Sequence, residues 1–294
     1  MVKAADRAKN PARSSVWLEN RAARSGGGPA GLDRERIVAA SIRMLDEEGL
    51  AKLSMRRLAT ELNVTAMSLY WYVDTKDDIL EYAIDTVYGE MDLVAVEGAG
   101  GWRDRIRTLA LEYRRMLVRH PWMSAVAGQY LNIGPNAIAA GVKIQAAIRD
   151  TGLPVARQPS AMAAVFQFVY GYGTIEGQFH RVAQQAGMSQ DDYYTASLKA
   201  FRDDEKIMGA LEEMTEILTE RQTHGTVSQI WDRDFEYALD VLVAGIEVMV
   251  ERNRTEQPEE PGETGEPGEP GGTGEPGEPE EAGEPEEAGD GPDA

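Results

Sequence analysis

Four residues suited to capping a helix, Asp33, Ser54, Thr65 and Thr75, fall close together in the chain, each ahead of a short run with apolar spacing. This punctuation leaves room only for short helices joined by turns of a few residues. In "LDRERIVAASIRMLDEEGL", Ile37, Ala40, Ser41, Met44 and Leu45 recur at i, i+3, i+4, i+7 and i+8, and Gly49 supplies a left-handed stop. In "LSMRRLATELNV", Leu58, Ala59 and Leu62 form the buried stripe, and Asn63 stands where the backbone must turn through positive φ. Thr65 opens "AMSLYWYV", predicted as a helix with Leu69 and Val73 in the core, and Thr75 and Asp78 are spaced as a capping box for a fourth helix.

Helix, three-residue turn, helix is the order of a helix-turn-helix. The third helix carries Tyr70, Trp71 and Tyr72 in succession. Adjacent helical side chains step round the axis by about 100°, so one packed face cannot bury all three. With Leu69 and Val73 inside, Ala66, Met67 and Tyr70 fall on a second face, flanked by Trp71 and Tyr72. That face suits a major groove, where apolar groups pack on thymine methyls and ring N–H or O–H groups reach phosphates. A contact with another domain or a second subunit would expose the same rings. Arg56, near the start of the second helix, is the residue type that most often reads guanine with two hydrogen bonds, which favours DNA; a solvated helix-end arginine is its other reading.

The net charge of −20 runs against binding DNA until its distribution is considered. From Thr255 to Ala294 there are 13 Glu and 2 Asp and no Lys or Arg, so the remaining 254 residues carry only −5. From Met1 to Gly31, six basic residues face Asp6 and Glu19, a local +4. Residues 1–31 therefore read as a flexible basic arm whose Arg21 and Arg24, just ahead of "GGGP", are placed to enter an adjacent minor groove. A solubilising extension is the alternative, and "SSVWLENR" can also serve as a short apolar anchor on the protein's own surface. Residues 254–294 place Gly every third residue from Gly262 to Gly277, too few triplets for a collagen helix, and read as a disordered polyanion. No structure is expected after about Arg254.

Other function classes find little support. There is no cysteine, hence no disulfide, thiol nucleophile or thiolate metal site. Three histidines (His120, His180, His224), with no phosphate loop and no metal-spaced cluster, make an enzyme hard to assemble, and no cofactor is expected. His120 in "VRHPW" reads as a helix-end group and His180 as a pocket or interface residue. No segment approaches the roughly 20 apolar residues of a membrane span, so the expected location is cytoplasmic.

The stretch "SMRRLATELNVTAMSLYWYVDTKDDILEYAID" closely resembles the DNA-binding head of the Tet repressor family of bacterial transcription regulators. The likeness runs from about Leu32 to Tyr88. It implies an all-α protein: a three-helix helix-turn-helix head over 32–88 and a larger helical ligand-binding and dimerisation domain over 92–253. By the same resemblance Arg56 and Ala66 read bases, Met67 and Tyr70 make apolar groove contacts, and Met55, Thr65, Trp71, Tyr72 and Lys76 grip the backbone. Ala66 replaces a long polar reader found in the family, so a different operator is implied.

A weaker likeness links "FEYALDVLVAGIEVMVERN" to the family's last helix. Its stripe of Phe235, Leu239, Leu242, Val243, Ile246 and Met249 is either plain core or, as in the family, part of a four-helix dimer interface. The partner helix would be "PSAMAAVFQFVYGYGTIEGQFHRVAQQ", with Gly171, Gly173 and Gly177 allowing close approach. Aromatic residues at "HPWMSAVAGQY" and "FQFVYGY" point to Trp122, Met123, Tyr130, Phe166, Phe168 and Tyr170 as an apolar pocket for a small-molecule inducer, although core packing uses the same residues. Members that chelate magnesium–tetracycline do so partly through a histidine in the stretch corresponding to Ala127 to Pro135. "AGQYLNIGP" has none, which implies no metal and a different ligand, aromatic or antibiotic-like. The implied function is a ligand-released dimeric repressor of a palindromic operator. A constitutive DNA-architectural protein is the alternative.

Overall fold

The computed structural model describes residues 15–18, 31–126, 128–202 and 225–256. Arg21, Arg24 and residues 257–294 of the acidic tail lie outside them. Among the described residues the regular structure is entirely helical.

The head follows the capping pattern. Helix α1 (Arg34–Glu48) starts at Asp33, whose side chain accepts from the Arg36 N–H, and ends at Gly49 with φ 82°. Ile37, Ala40, Ser41, Met44 and Leu45 are all buried. Ser54 caps α2 (Met55–Glu61) by accepting from Arg57 N–H, and Asn63 turns the chain at φ 55°. Thr65 caps α3 (Ala66–Leu69) through Ser68 N–H. Thr75 and Asp78 complete the capping box of α4 (Lys76–Tyr88). Each such cap contributes about 1 kcal/mol, so local chemistry sets these boundaries.

Helix α3 is shorter than its apolar spacing predicts. The α-helical ladder of α3 ends after a single turn instead of running to Val73. Tyr72 N–H donates to Leu69 O at 2.9 Å and Val73 N–H to the same oxygen at 3.1 Å, tightening residues 70–73 into a turn that still buries Leu69 and Val73.

Beyond the head run α5 (Leu93–Gly98), α6 (Trp102–Arg119), α7 (Met123–Val126), α8 (Pro135–Arg149), α9 (Gln158–Gln185), α10 (Gln190–Arg202) and α11 (Val227–Glu256). The last helix thus passes two residues beyond Arg254. The most extensive packing is α6 against α9, with α8 and α11 alongside. Two glycines make that approach possible. A Cβ at Gly177 would stand 3.0 Å from Leu117 O, and one at Gly173 would stand 3.1 Å from the Leu117 side chain. They serve packing within the chain, not a subunit contact as the sequence suggested; only Gly171 of the three faces open space. Head and body fall within one compact unit, Met1–Glu256.

Candidate nucleic-acid interface and its coupling to the body

On the head, α3 and its following turn present a mixed face. Met67 is 70% exposed and Trp71 51% exposed, while Leu69 beneath them is fully buried. Tyr70 is half-buried, and Ala66 and Met55 lie half-buried against the core. Thr65 is exposed but its hydroxyl is engaged in the cap. Tyr72 turns inward at its tip: its phenol donates to Leu32 O at 2.6 Å. The aromatic triplet is thus divided, with Trp71 outward, Tyr72 tied to the start of the head and Tyr70 between them.

The neighbouring cations are divided as well. Arg57 is committed to the head, its Nη2 donating to both oxygens of Glu48 at 2.8 and 2.6 Å. Arg56 is exposed and its guanidinium has no partner among the described residues. Lys76 Nζ donates to Leu50 O at 3.0 Å; an ammonium has three donors, so two remain for a phosphate. The arrangement leaves Arg56, Met67 and Trp71 available to a ligand as large as a DNA groove.

Contacts between head and body are mostly polar and specific. His120, the C-cap of α6, is 3% exposed. Its Nδ1 lies 2.8 Å from Asp46 Oδ1 on α1, and its Nε2 lies 3.0 Å from Glu90 Oε2 just after α4. Trp122 Nε1 donates to the same Asp46 oxygen at 2.8 Å, and Arg119 Nη1 to Glu90 at 3.0 Å. Asp85 of α4 accepts from Asn136 Nδ2 and Ala137 N–H at the start of α8. Tyr130 donates to Asp77 at 3.2 Å, and Arg181 of α9 to Glu48 O at 3.3 Å.

With a carboxylate on each ring nitrogen, both nitrogens of His120 act as donors when the ring is charged. Burial pulls its pKa down, but Asp46 and Glu90 outweigh burial and hold it above its ordinary 6.5. For Glu90, burial raises the pKa, and His120 and Arg119 overcome that and lower it from 4.5. The histidine's contribution is therefore complete below about pH 6.5 and is lost as pH rises through its folded pKa. That of Glu90 is present above its ordinary value and is lost as pH falls through its lowered one. Comparing thermal melts of His120→Gln and the parent chain should show a gap of about 2 kcal/mol near pH 6 that narrows toward pH 9. A gap that does not change with pH would mean that the ring is neutral in the fold.

The six residues read from sequence as a pocket do not converge on one lining. Trp122 is 1% exposed and belongs to the head–body joint, as does Tyr130. Met123 is buried. Phe168 faces α11, stacked on Phe235 with centroids 5.6 Å apart. Phe166 and Tyr170, one turn apart, lie on another side of α9: Phe166 sits 6.1 Å from Tyr113, and Tyr170 donates to Ser124 O at 2.8 Å. Tyr113 and Tyr88 join this group without having been singled out in the sequence. Burial, with Tyr88 and Tyr170 nearby, pushes the Tyr113 phenol far above its ordinary 10.0. The places of Tyr88 and Tyr113 on α4 and α6, as aromatic residues in otherwise amphipathic helices, were the available signal. His180 lines an open hollow of about 720 Å³ with Val118, Pro121 and Met188, and its buried Nε2 has no partner among the described residues.

Comparison with known proteins joins these features. Residues 37–83 match the family described as bacterial regulatory proteins, tetR family, and residues 94–250 match the tetracyclin repressor-like C-terminal domain. An HTH-type transcriptional regulator of Saccharopolyspora erythraea is 44% identical over 140 residues, which span 48% of this chain and 59% of that relative's length. The HTH-type transcriptional repressor DrrR1 of Streptomyces coeruleorubidus is 29% identical over 82% of this chain and 86% of its own. Among solved structures, the Streptomyces coelicolor TetR family protein ActR in complex with (S)-DNPA is 26% identical. The match covers 74% of this chain and 98% of that one, with a TM-score of 0.52. These matched families are of transcriptional regulators, not enzymes.

Proposed function

The chain belongs to the Tet repressor family of bacterial transcriptional regulators, and from that premise we propose that it is a ligand-released repressor that binds a palindromic operator as a homodimer. The observation that carries this reading is the contrast on the head between Arg56, Met67 and Trp71, which are unengaged and exposed, and Arg57 and Tyr72, which are tied inward. Arg56 and Ala66 then read bases, Met67 and Tyr70 pack in the groove, and Met55, Thr65, Trp71 and Lys76 hold the backbone, with Tyr72 bracing the turn beneath them through its bond to Leu32 O rather than reaching the backbone itself.

The dimer is proposed to form through α9 and α11. Ile175 and Val182 on α9 and Tyr237, Val241 and Val248 on α11 are exposed at helical spacing, in line with the open face at Gly171. A single recognition helix reads few base pairs, and two-fold repetition about 34 to 36 Å apart is the usual remedy. The effector is proposed to be a small aromatic or antibiotic-like molecule; that ActR is found in complex with (S)-DNPA supports a ligand for a chain of this fold. Tyr113 and Tyr170 offer ring faces with phenol tips, Phe166 a third ring face, and His180 a ring nitrogen with no partner among the described residues. Movement of α6 relative to α1 would reach the head through His120 and Asp46. Switching the head from 99:1 to 1:99 needs the ligand to favour the released state by about 5.5 kcal/mol. An exporter encoded beside the gene is the target that this reading anticipates.

Mobility shifts on a selected operator test the assignment. Arg56→Ala should cost about 1 to 3 kcal/mol and lose preference at one base position, whereas Lys76→Ala should weaken all sequences alike and reduce the salt slope by about one. Identical behaviour of the two variants would reject the division into reader and clamp. Effector that binds tightly yet leaves operator affinity unchanged would favour a constitutive DNA-binding protein.

A further inference from the structure

A cleft of about 470 Å³ lies between α1 and α4, apart from the reading face and from the Tyr113 group. Val38 and Ile42 of α1 and Tyr82 of α4 line it, and Trp17 closes one side. Trp17 is carried there by a short segment of the N-terminal region that is anchored on α4. Ser15 Oγ and Val16 N–H both donate to Glu81 Oε2, the latter at 3.1 Å. Ser15 and Val16 are buried, and the Trp17 ring meets Tyr82 edge-on, with centroids 5.1 Å apart and planes at 79°. The apolar anchor anticipated in "SSVWLENR" is thus present at Ser15, Val16 and Trp17, and it builds a wall as well as holding the chain.

Arg34 supplies the charge. Its guanidinium carbon lies 4.7 Å from the centroid of the same Tyr82 ring. Among the described residues its buried Nε donates to nothing and no carboxylate pairs with it. The acidic groups that line the cleft are largely committed elsewhere. Asp85 accepts from Asn136 and Ala137, and Glu90 from His120 and Arg119; Glu35 is exposed on the surface of α1. Arg43, also in the lining, lies 3.9 Å from Glu61.

A buried donor left unsatisfied is a standing cost that an incoming acceptor removes, and a guanidinium is shaped for two parallel hydrogen bonds to a carboxylate. Its position over Tyr82, with Trp17 nearby, places ring faces and edges where the body of such an acid would lie. The volume lies within the range of about 300 to 1,000 Å³ typical of small-molecule sites. We propose that the cleft between α1 and α4 binds a planar aromatic carboxylate of one or two rings, with Arg34 holding the acid and Trp17 and Tyr82 flanking the ring. This site is separate from the effector contacts proposed in the body.

Calorimetric titration of the full chain with 2-naphthoate, and with neutral 2-naphthamide for comparison, tests this without any use of DNA, so failure here and failure of the repressor reading are distinguishable. Saturable binding of naphthoate with a Kd on the order of 100 µM is expected, at least tenfold tighter than the amide. Arg34→Gln should weaken naphthoate by about tenfold, Arg34→Lys by less, and Trp17→Ala should weaken acid and amide together. Thermal melts establish that each variant is folded, and in the parent chain the indole N–H resonance of Trp17 should shift on titration. Naphthoate binding that is unchanged in Arg34→Gln, equal binding of acid and amide, or no saturable heat would overturn the proposal.

Discussion

Glu176→Leu should lower the unfolding free energy by about 3 to 5 kcal/mol in urea denaturation, the largest loss expected of a single substitution in this chain. Arg114 of α6 and Glu176 of α9 are each 5% exposed. They form a forked pair, with Nε to Oε2 at 2.6 Å and Nη2 to Oε1 at 2.8 Å. Asp232 of α11 meets the remaining Nη1 at 2.9 Å, and the guanidinium lies 4.7 Å from the centroid of Phe235. Three helices of the body are tied at one point. Removing Glu176 leaves the guanidinium in an apolar setting with only Asp232, whose side chain is 58% exposed and largely solvated.

The same reasoning predicts the opposite outcome for the pair. Arg114→Met combined with Glu176→Leu removes both charges and should recover most of the loss, because two well-packed apolar side chains replace a buried ion pair at little net cost. If the double variant is as unstable as Glu176→Leu alone, unpaired charge is not the cause, and packing around Gly177 and Leu117 becomes the explanation to examine.

Val241→Asp and Ile175→Asp should each leave the fold intact and convert the protein to monomers. Both side chains point outward, 57% and 63% exposed, so an added carboxylate disturbs no core in the single chain. At a dimer interface it would be desolvated without a partner, a cost of several kcal/mol counted from each subunit. A monomer engages one half-site only, and the lost linkage between two half-sites is worth about 10² to 10⁴ in affinity. Sedimentation should therefore show half the mass, and mobility shifts should show operator binding weaker by at least about a hundredfold. Variants that remain dimeric and bind normally would move the interface away from α9 and α11.

The head is legible in local spacing. Asp33, Ser54, Thr65 and the Thr75–Asp78 box act on backbone groups three residues away, and the stripe through Ile37, Met44 and Leu45 needs only a helix to become one face. Interactions of that range are written in local spacing. The two ends of the aromatic triplet show where this stops. Periodicity said that three rings could not all be buried, yet which one turned inward depended on Leu32 O, 40 residues from Tyr72.

In the body the signal was thinner. Glu176 is the one carboxylate in a 28-residue helix, a sign that it must be satisfied, but its partner lies 62 residues away. His120 read as a helix end, and it is one; that it also joins α1 to the segment after α4 required Asp46, 74 residues distant. Gly173 and Gly177 showed that something approaches α9 closely, and only the packed structure decided that α6 does so. Tertiary packing alone settles such pairings, because the free energy of a buried charge or a close backbone approach depends on which surface arrives opposite it, and chain spacing carries no information about that surface.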